Sequence, residues 1–317
     1  MIPINNLAIV IVNWNAGNQL ADVVKSVALY HHNLVLTVII VDNASSDDSL
    51  YQVNNLKDLP FQLKVVRNSY NLGFGAACNQ GASLTNCDYL LFLNPDTRLF
   101  DNSLPVPLAY LHDQDNHDVG IVGIQLLDDQ KCIARSCARF PTLVMFAVQA
   151  LGINRFPGLR HLSMHMMEWE HDETRVVDHV IGAFFLMRQS FFESLGGFDE
   201  RFFVYLEDLD LSLRARKAGY KSVYLSDSQA FHLGGGTSGQ VKAQRLFYAL
   251  SSRLLFGFKH FSPLNAWGLL FITLTIELLT RLALALCKVS WRDASNTLQA
   301  YSSLSQSLPN LISLWRR

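Results

Sequence analysis

Three short apolar runs in the first hundred residues, each stopped by asparagine or aspartate, constrain this chain most. Leu7 to Val12 runs into Asn13-Trp14-Asn15, Thr37 to Val41 into Asp42-Asn43, and Tyr89 to Leu93 into Asn94-Pro95-Asp96. Each is too short for a helix and reads as a buried strand, and Leu63 to Arg67 adds a fourth. Between them, Gln19 to Tyr30 sets Leu20, Val23, Val24, Val27 and Ala28 at helical spacing, and Gly75 to Leu84 reads as a helix. Buried strands alternating with helices predict an α/β fold with a mostly parallel sheet and flanking helices. In such sheets ligands bind beyond the C-terminal ends of the strands. Asn13, Asp42 and Asp96 are therefore expected to converge on one edge.

Farther along, a short proline-marked helix is expected over Asp101 to Tyr110 and strands over Val119 to Leu126 and Val176 to Met187. A helix over Glu207 to Ala218 is ended by Gly219. Cys132 to Met167 reads as an irregular connection, of a length that often covers a site. The chain has 317 residues, half of them hydrophobic, enough to bury a sizeable core. Its 26 Lys and Arg against 27 Asp and Glu give no footprint for a nucleic-acid partner. Five cysteines without a C-x-x-C pair argue against zinc and for reduced thiols in a cytoplasmic setting. Ala8 to Val12 is too short for a signal-peptide core.

Composition changes near Phe261-Ser262-Pro263, so residues 1–261 are expected to form one domain and 262–317 a C-terminal helical region. There Thr273, Glu277, Thr280, Arg281 and Lys288 share one helix face, while Leu269, Ile272, Ile276, Leu279 and Leu286 occupy the other. This amphipathic pattern predicts docking at a membrane interface, ahead of packing on the protein or in a homodimer, with a true span last. Trp267, Trp291, Trp315, Arg316 and Arg317 suit an interface.

Four motifs carry chemistry. Asp42 at a strand end can accept hydrogen bonds from a nucleobase imide or a ribose hydroxyl, while Ser45 and Asp47 can simply cap the next helix. Asn71-x-Gly73-Phe74-Gly75-x-x-x-Asn79 is a glycine-bearing turn opening a helix, suited to close approach of an anion but equally to a structural turn. Asn94-Pro95-Asp96 projects a carboxylate suited to magnesium or manganese held jointly with a diphosphate, the alternative being an Asx turn. Finally Glu207-Asp208-Leu209-Asp210 follows the aromatics Phe202, Phe203 and Tyr205, and His232 follows before three glycines. Carboxylates beside aromatics suit deprotonation of a sugar hydroxyl under a stacked ring, and His232 is a possible metal ligand. The bland reading is an acidic cap on a helix N-terminus.

With these residues assembled, the chain resembles the inverting nucleotide-sugar glycosyltransferases of the GT-A fold, a Rossmann-like sheet with flanking helices. Within them it most resembles the rhamnosyltransferase-like branch that builds bacterial surface polysaccharides. The resemblance rests on V-D-N-A-S-S-D, N-x-G-F-G-x-x-x-N, L-N-P-D-T, G-G-F-D-E-R-F-F-V-Y-L-E-D-L-D-L and H-L-G-G-G-T-S, in that order. It implies transfer of a hexose from a nucleoside diphosphate sugar to a saccharide or lipid-linked saccharide, at the inner face of the cell membrane. Asp208 matches the general base, with its pKa expected to be raised by burial and by Glu207, which orients it or the acceptor. Asp96 matches the last aspartate of a D-x-D element whose first position is Asn94 here. His232 matches a histidine that completes a site for Mg or Mn in some relatives. Asn13, Asp42, Asn71, Gly73, Asn79, Asn94 and Asp96 form the expected donor-binding set. The competing classes are a sugar-nucleotide nucleotidyltransferase and a non-catalytic sugar-nucleotide-binding protein. The first would show a basic glycine-rich loop where this chain has Asn13-Trp14-Asn15-Ala16-Gly17. Asp96, Asp208 and His232 argue against the second.

Overall fold

The computed structural model describes residues 6–153, 156–234 and 242–315. Its residues group into two compact units, the first made of Met1–Arg139, Trp169–Glu200 and Glu207–Thr237. The second gathers Phe140–Glu168, Arg201–Leu206 and Ser238–Arg317.

The first unit opens with β1 (Leu7–Asn13), α1 (Asn18–His31), β2 (Val35–Asp42), α2 (Ser49–Asn54), β3 (Gln62–Arg67), α3 (Phe74–Ala82) and β4 (Tyr89–Leu93). It continues through β5 (Thr97–Leu99), α4 (Pro105–His112), β6 (Val119–Leu127), β7 (Ile133–Ala134) and β8 (Cys137–Ala138). After α5 (Leu143–Ala150), which belongs to the second unit, come β9 (Arg175–Val177), β10 (His179–Val180), β11 (Phe184–Arg188), α6 (Gln189–Ser194), α7 (Glu207–Lys217) and β12 (Lys221–His232). The sheet runs β3-β2-β1-β4-β11-β6-β12-β5. It is parallel through β3-β2-β1-β4 and again between β6 and β12, while β11 runs antiparallel to both its neighbours. Every residue of β1 and β4 is buried, because such strands are covered on both faces. Register carries the expected convergence into the structure: Asn13 lies opposite Asp42, and Asp42 opposite Arg67. Helix α3 lies close on the sheet, since a Cβ at Gly81 would come within 2.5 Å of Val10 Cγ1.

Several elements differ from expectation for tertiary reasons. The single strand expected over Val176 to Met187 is three pieces. β9 pairs β12, β10 pairs β8, and β11 pairs β4 and β6, so the chain must turn twice to change partners. The stretch read as irregular holds β7, β8 and α5, whose start is capped by Thr142 Oγ1 accepting from the Met145 N–H at 3.3 Å. β12 has no period-two pattern because its register shifts between Leu225 and Gln229.

The second unit is helical, with α8 (Lys242–His260), α9 (Pro263–Ile272), α10 (Leu278–Cys287) and α11 (Trp291–Trp315) joining α5. A π-helical turn, Thr273–Glu277, joins α9 to α10. Phe146, Leu250, Leu254, Leu269, Tyr301 and Leu304 form its core, so α8 shares that core with the helices after residue 262. Buried in it is an ion network. Arg253 pairs with Glu277, which also accepts from Arg281 Nη2 at 2.8 Å, and Tyr301 Oη donates to the Thr273 carbonyl at 2.9 Å. Two members of the polar face, Thr273 and Glu277, are buried, while Lys288 of that face is exposed and Leu269 of the apolar face is buried. Leu264, Trp267, Phe271, Leu279 and Leu286 are all more than half exposed. Pro263–Cys287 is long and apolar enough to cross a membrane.

Candidate active site

The loops leaving β1 and β2 are tied into one knot. Asn13 Nδ2 donates to Asp42 Oδ1 at 2.7 Å, to Ser45 Oγ at 3.0 Å and to Ser49 Oγ at 2.8 Å. Asp42 Oδ2 accepts the Ser45 N–H at 3.2 Å, and Asp47 Oδ2 accepts the Gly17 N–H at 2.7 Å. Asp48 stands at the N-cap of α2 without a side-chain cap bond, Asp47 Oδ1 accepts the Ser49 N–H, and Ser45 serves Asn13 and Asn15 instead. Asp42 is buried, and each carboxylate oxygen keeps a lone pair beyond these bonds. Asn13 Oδ1 is buried without a hydrogen-bond partner.

The glycine turn before α3 joins this knot. Asn71 Oδ1 accepts the Gly73 N–H at 2.9 Å, and the Gly73 carbonyl accepts from Asn43 Nδ2 at 3.0 Å. Gly73 has φ 90°, a conformation that favours glycine. Gly75 brings the start of α3 against α7, since a Cβ there would lie 3.7 Å from Glu207 Cβ. Asn79 lies apart from the loop edge: its amide takes both the Phe198 N–H and carbonyl at 2.9 Å, clamping the Gly196-Gly197-Phe198 turn.

At the exit of β4, Asn94 N–H donates to the Ala183 carbonyl at 3.0 Å and the Asn94 carbonyl accepts from Thr97 Oγ1 at 2.7 Å. The turn points Asp96 at β12. There β5 pairs β12 with Thr97 opposite His232, which brings His232 Nε2 within 3.3 Å of Asp96 Oδ1. The two side chains remain slightly accessible, at 13% and 10%. A carboxylate and an imidazole are a donor set that a divalent cation accepts when phosphate and water complete it. Among the described residues no third His, Cys, Asp or Glu joins them. Gly235, Gly236, Thr237 and Ser238 of the glycine motif lie outside the described residues, as do Arg316 and Arg317.

Helix α7 presents the acid pair. Tyr205 and Leu206, just before it, have φ of 72° and 66°. Successive left-handed non-glycine residues cost about 1–3 kcal/mol each and mark places where geometry is imposed. Asp208 Oδ2 accepts the Gly182 N–H at 2.7 Å, its Oδ1 accepts the Leu209 N–H at 2.8 Å, and His179 Nε2 lies 3.5 Å from Oδ2. A Cβ on Gly182 would sit 3.0 Å from Asp208 Oδ2, a tight contact that glycine avoids. Glu207 is buried, and its Oε2 has no partner.

The pair splits contrary to the sequence expectation. Burial, then the adjacent Asp208 charge, pushes Glu207 well above the usual carboxylate range. Burial also opposes ionisation of Asp208, but the His179 ring and the Gly182 and Leu209 N–H groups outweigh it and hold Asp208 below that range. Neighbouring carboxyls pushed apart in this way suit different roles, Glu207 holding a proton more tightly and Asp208 releasing one more readily. Asp210 plays neither part. It pairs with Arg214, which donates to the Leu195 and Gly197 carbonyls and so braces the turn that Asn79 clamps. The helix-cap reading also holds, since all three acids lie in the first turn of α7. Sequence reasoning missed His179 and the Gly182 N–H. His179 sits at a strand end with no motif spacing, and only the tertiary fold brings it to α7.

These contacts form one continuous edge. Asp42 leads through Asn43 to Gly73, Gly75 to Glu207, Asp208 to Gly182, and Ala183 through Asn94 to Asp96 and His232. Residues 8–196 match the family described as Glycosyl transferase family 2, and residues 158–308 match Glycosyl transferase family group 2. The N-acetylglucosaminyl-diphospho-decaprenol L-rhamnosyltransferase of Mycobacterium tuberculosis is 27% identical over 255 residues, covering 76% of this chain and 80% of that protein. Rhamnosyltransferase WbbL of Escherichia coli is 34% identical over 148 residues, 46% of this chain and 52% of that one. Among solved structures, the Pyrobaculum calidifontis mannosyltransferase PcManGT, in complex with GDP-Man and Mn2+, shares the fold with a TM-score of 0.53 at 15% identity. That match covers 94% of this chain and 86% of the other. With more than half of its length matched, this GT-A chain is a glycosyltransferase and belongs to glycosyl transferase family 2.

Proposed function

We propose that this chain transfers rhamnose, with inversion, from a nucleoside diphosphate sugar to a lipid-linked saccharide during surface-polysaccharide synthesis. The observation that carries the proposal is the contact chain from Asp42 through Glu207 and Asp208 to Asp96 and His232 along one sheet edge. Rhamnose and a lipid diphosphate acceptor are drawn from the names of the relatives.

In this reading Asp42, with Asn13 fixing its carboxylate, receives the nucleoside. Asn71 and Gly73 shape the turn beside it, Asn79 clamps the Gly196-Gly197-Phe198 turn, and Asn94 sets the exit that carries Asp96. Asp96 and His232 would hold magnesium or manganese, which when bound offsets the charge of the leaving diphosphate. Asp208 takes the proton of the acceptor hydroxyl. The oxygen so freed bonds to the anomeric carbon from the face opposite the diphosphate, which leaves with the bonding electron pair. Neutral Glu207 is a hydrogen-bond donor beside the base and leaves the charge on Asp208. The outward apolar face of Pro263–Cys287 is read as lying in the cytoplasmic membrane surface, where a lipid-linked acceptor resides.

Asp208→Asn is the test. Transfer to N-acetylglucosaminyl-diphospho-decaprenol should fall by about a thousandfold or more, since removing a base typically costs 10²–10⁴. The donor dissociation constant should stay within about twofold. Transfer within a few-fold of the unaltered enzyme would remove Asp208 from this role.

A further inference from the structure

We propose that His179 is a positioning residue for the base: anchored on Ser212, its ring occupies Oδ2 of Asp208 and leaves Oδ1 as the oxygen that takes the acceptor's proton. The proposal rests on the reading of Asp208 as base. It begins with hydrogen-bond counting. Ser212 Oγ donates its only proton to the Asp208 carbonyl at 3.0 Å, the usual i−4 bond of a helical serine. It can therefore only accept from His179 Nδ1, 2.9 Å away, so Nδ1 carries a proton. Nε2 then faces a carboxylate oxygen at 3.5 Å, and the contact is favourable with Nε2 protonated as well.

The acceptor count on Asp208 gives the rest. A carboxylate has about four acceptor positions. Gly182 N–H and His179 Nε2 fill Oδ2, and Leu209 N–H takes one position on Oδ1. The position left is on Oδ1. A fifth of the Asp208 side chain is exposed, at 19%, while His179 is sealed at 5%. His179 therefore does not touch the substrate, and acts through Asp208. Glu207 and Asp210 are the remaining acids of the first turn of α7, and Cys78, a buried thiol of α3, has Glu207 and Asp208 as its charged neighbours. Cys137 lies on β8, the strand paired with β10. Phe185 of β11 sets its ring centroid 6.5 Å from His179, and Asp178, next in chain, pairs with Arg216.

The sign of the expected effect follows. Without the His179 ring, burial acts on Asp208 with only the two N–H bonds opposing it, so the carboxyl holds its proton to higher pH. In His179→Asn, the acid limb of the kcat/KM–pH profile for rhamnosyl transfer to N-acetylglucosaminyl-diphospho-decaprenol should move up by about one pH unit or more. KM for the donor should hold. Ser212→Ala frees Nδ1 and should shift the limb the same way by less, while Ser212→Thr, which keeps the hydroxyl, should restore it. That pair carries the test if His179→Asn fails to fold. An acid limb that stays in place in His179→Asn, or in Ser212→Ala, overturns the proposal while leaving Asp208 as base. Retained transfer by Asp208→Asn would instead overturn the reading beneath it.

Discussion

Adjacent carboxyls at Glu207 and Asp208 are pushed in opposite directions, above and below the usual carboxylate range, because their partners differ, not because their sequence context does. The E-D pair was legible as a chemical pair, but which member stays charged depends on a histidine and a glycine N–H that arrive from another part of the fold. Asp96 and His232 were legible in the same partial way. Asparagine, proline and aspartate at a strand end marked a projecting carboxylate, yet only the pairing of β5 with β12 makes His232 its neighbour. Asn79 illustrates the opposite case: its motif position matched a donor-binding turn, and its amide holds the Phe198 peptide. The Asp96–His232 pair carries a prediction at this scale. Asp96→Ala removes the only carboxylate of the pair, so manganese should no longer strengthen binding of nucleoside diphosphates. In calorimetric titrations of UDP, GDP and dTDP, the metal-dependent gain should shrink by about tenfold, ~1.4 kcal/mol. A metal response equal to that of the unaltered protein would place the cation elsewhere.

Strands and helices of the first half were legible because burial on both faces writes itself as short apolar runs, and α1 as a helical period. β12 and α8 were not. β12 carries Ser226-Asp227-Ser228-Gln229 across its register shift, which hides its alternation, and α8 follows with no sequence boundary that marks its start. The end of α1 adds a feature that periodicity conceals. His31 occupies an apolar-face position and is 1% exposed, with Nε2 2.7 Å from the Phe100 carbonyl and Nδ1 buried without a partner. Burial lowers its pKa from 6.5 to about 4, against the opposing pull of the Phe100 carbonyl and Asp101. The unfolded chain therefore binds a proton that the folded one refuses between those values. Stability is full above pH 6.5 and falls as pH drops toward 4, by about 2–3 kcal/mol at pH 4.5 from this group. His31→Gln keeps a donor for Phe100 but cannot titrate. Urea unfolding at pH 7 and pH 4.5 should show the variant losing about 2 kcal/mol less than the unaltered protein. Equal losses would assign the acid sensitivity to other groups.

At the scale of the whole molecule, the helical unit keeps an apolar core yet also turns apolar side chains outward. In a water-soluble bundle the apolar stripe faces inward, whereas here Thr273, Glu277 and Arg253 are buried while Leu264, Trp267, Phe271, Leu279 and Leu286 face outward. The buried charges are paired, Arg253 with Glu277 and Glu277 with Arg281, and the π-helical turn at Thr273–Glu277 carries two of the groups involved. Water is the wrong solvent for the outward face, and tryptophans at 267 and 291, both exposed, match the headgroup level of a bilayer. On the proposed reading, docking there would concentrate a lipid-linked acceptor. Deleting the C-terminal helices is a poor test, since it would strip Leu250 and Leu254 of α8 of their core partners and leave Arg253 without Glu277. The combined substitution Trp267→Ser, Phe271→Ser and Leu279→Ser leaves that core untouched. The full-length protein should sediment with phosphatidylglycerol vesicles, and the variant should lose at least tenfold in partitioning, because each apolar side chain withdrawn from lipid forfeits roughly 1.5–3 kcal/mol of burial. Its melting temperature and donor affinity should be kept. A parent protein that ignores vesicles but is dimeric, with a monomeric variant, would assign the same face to a second copy of the chain.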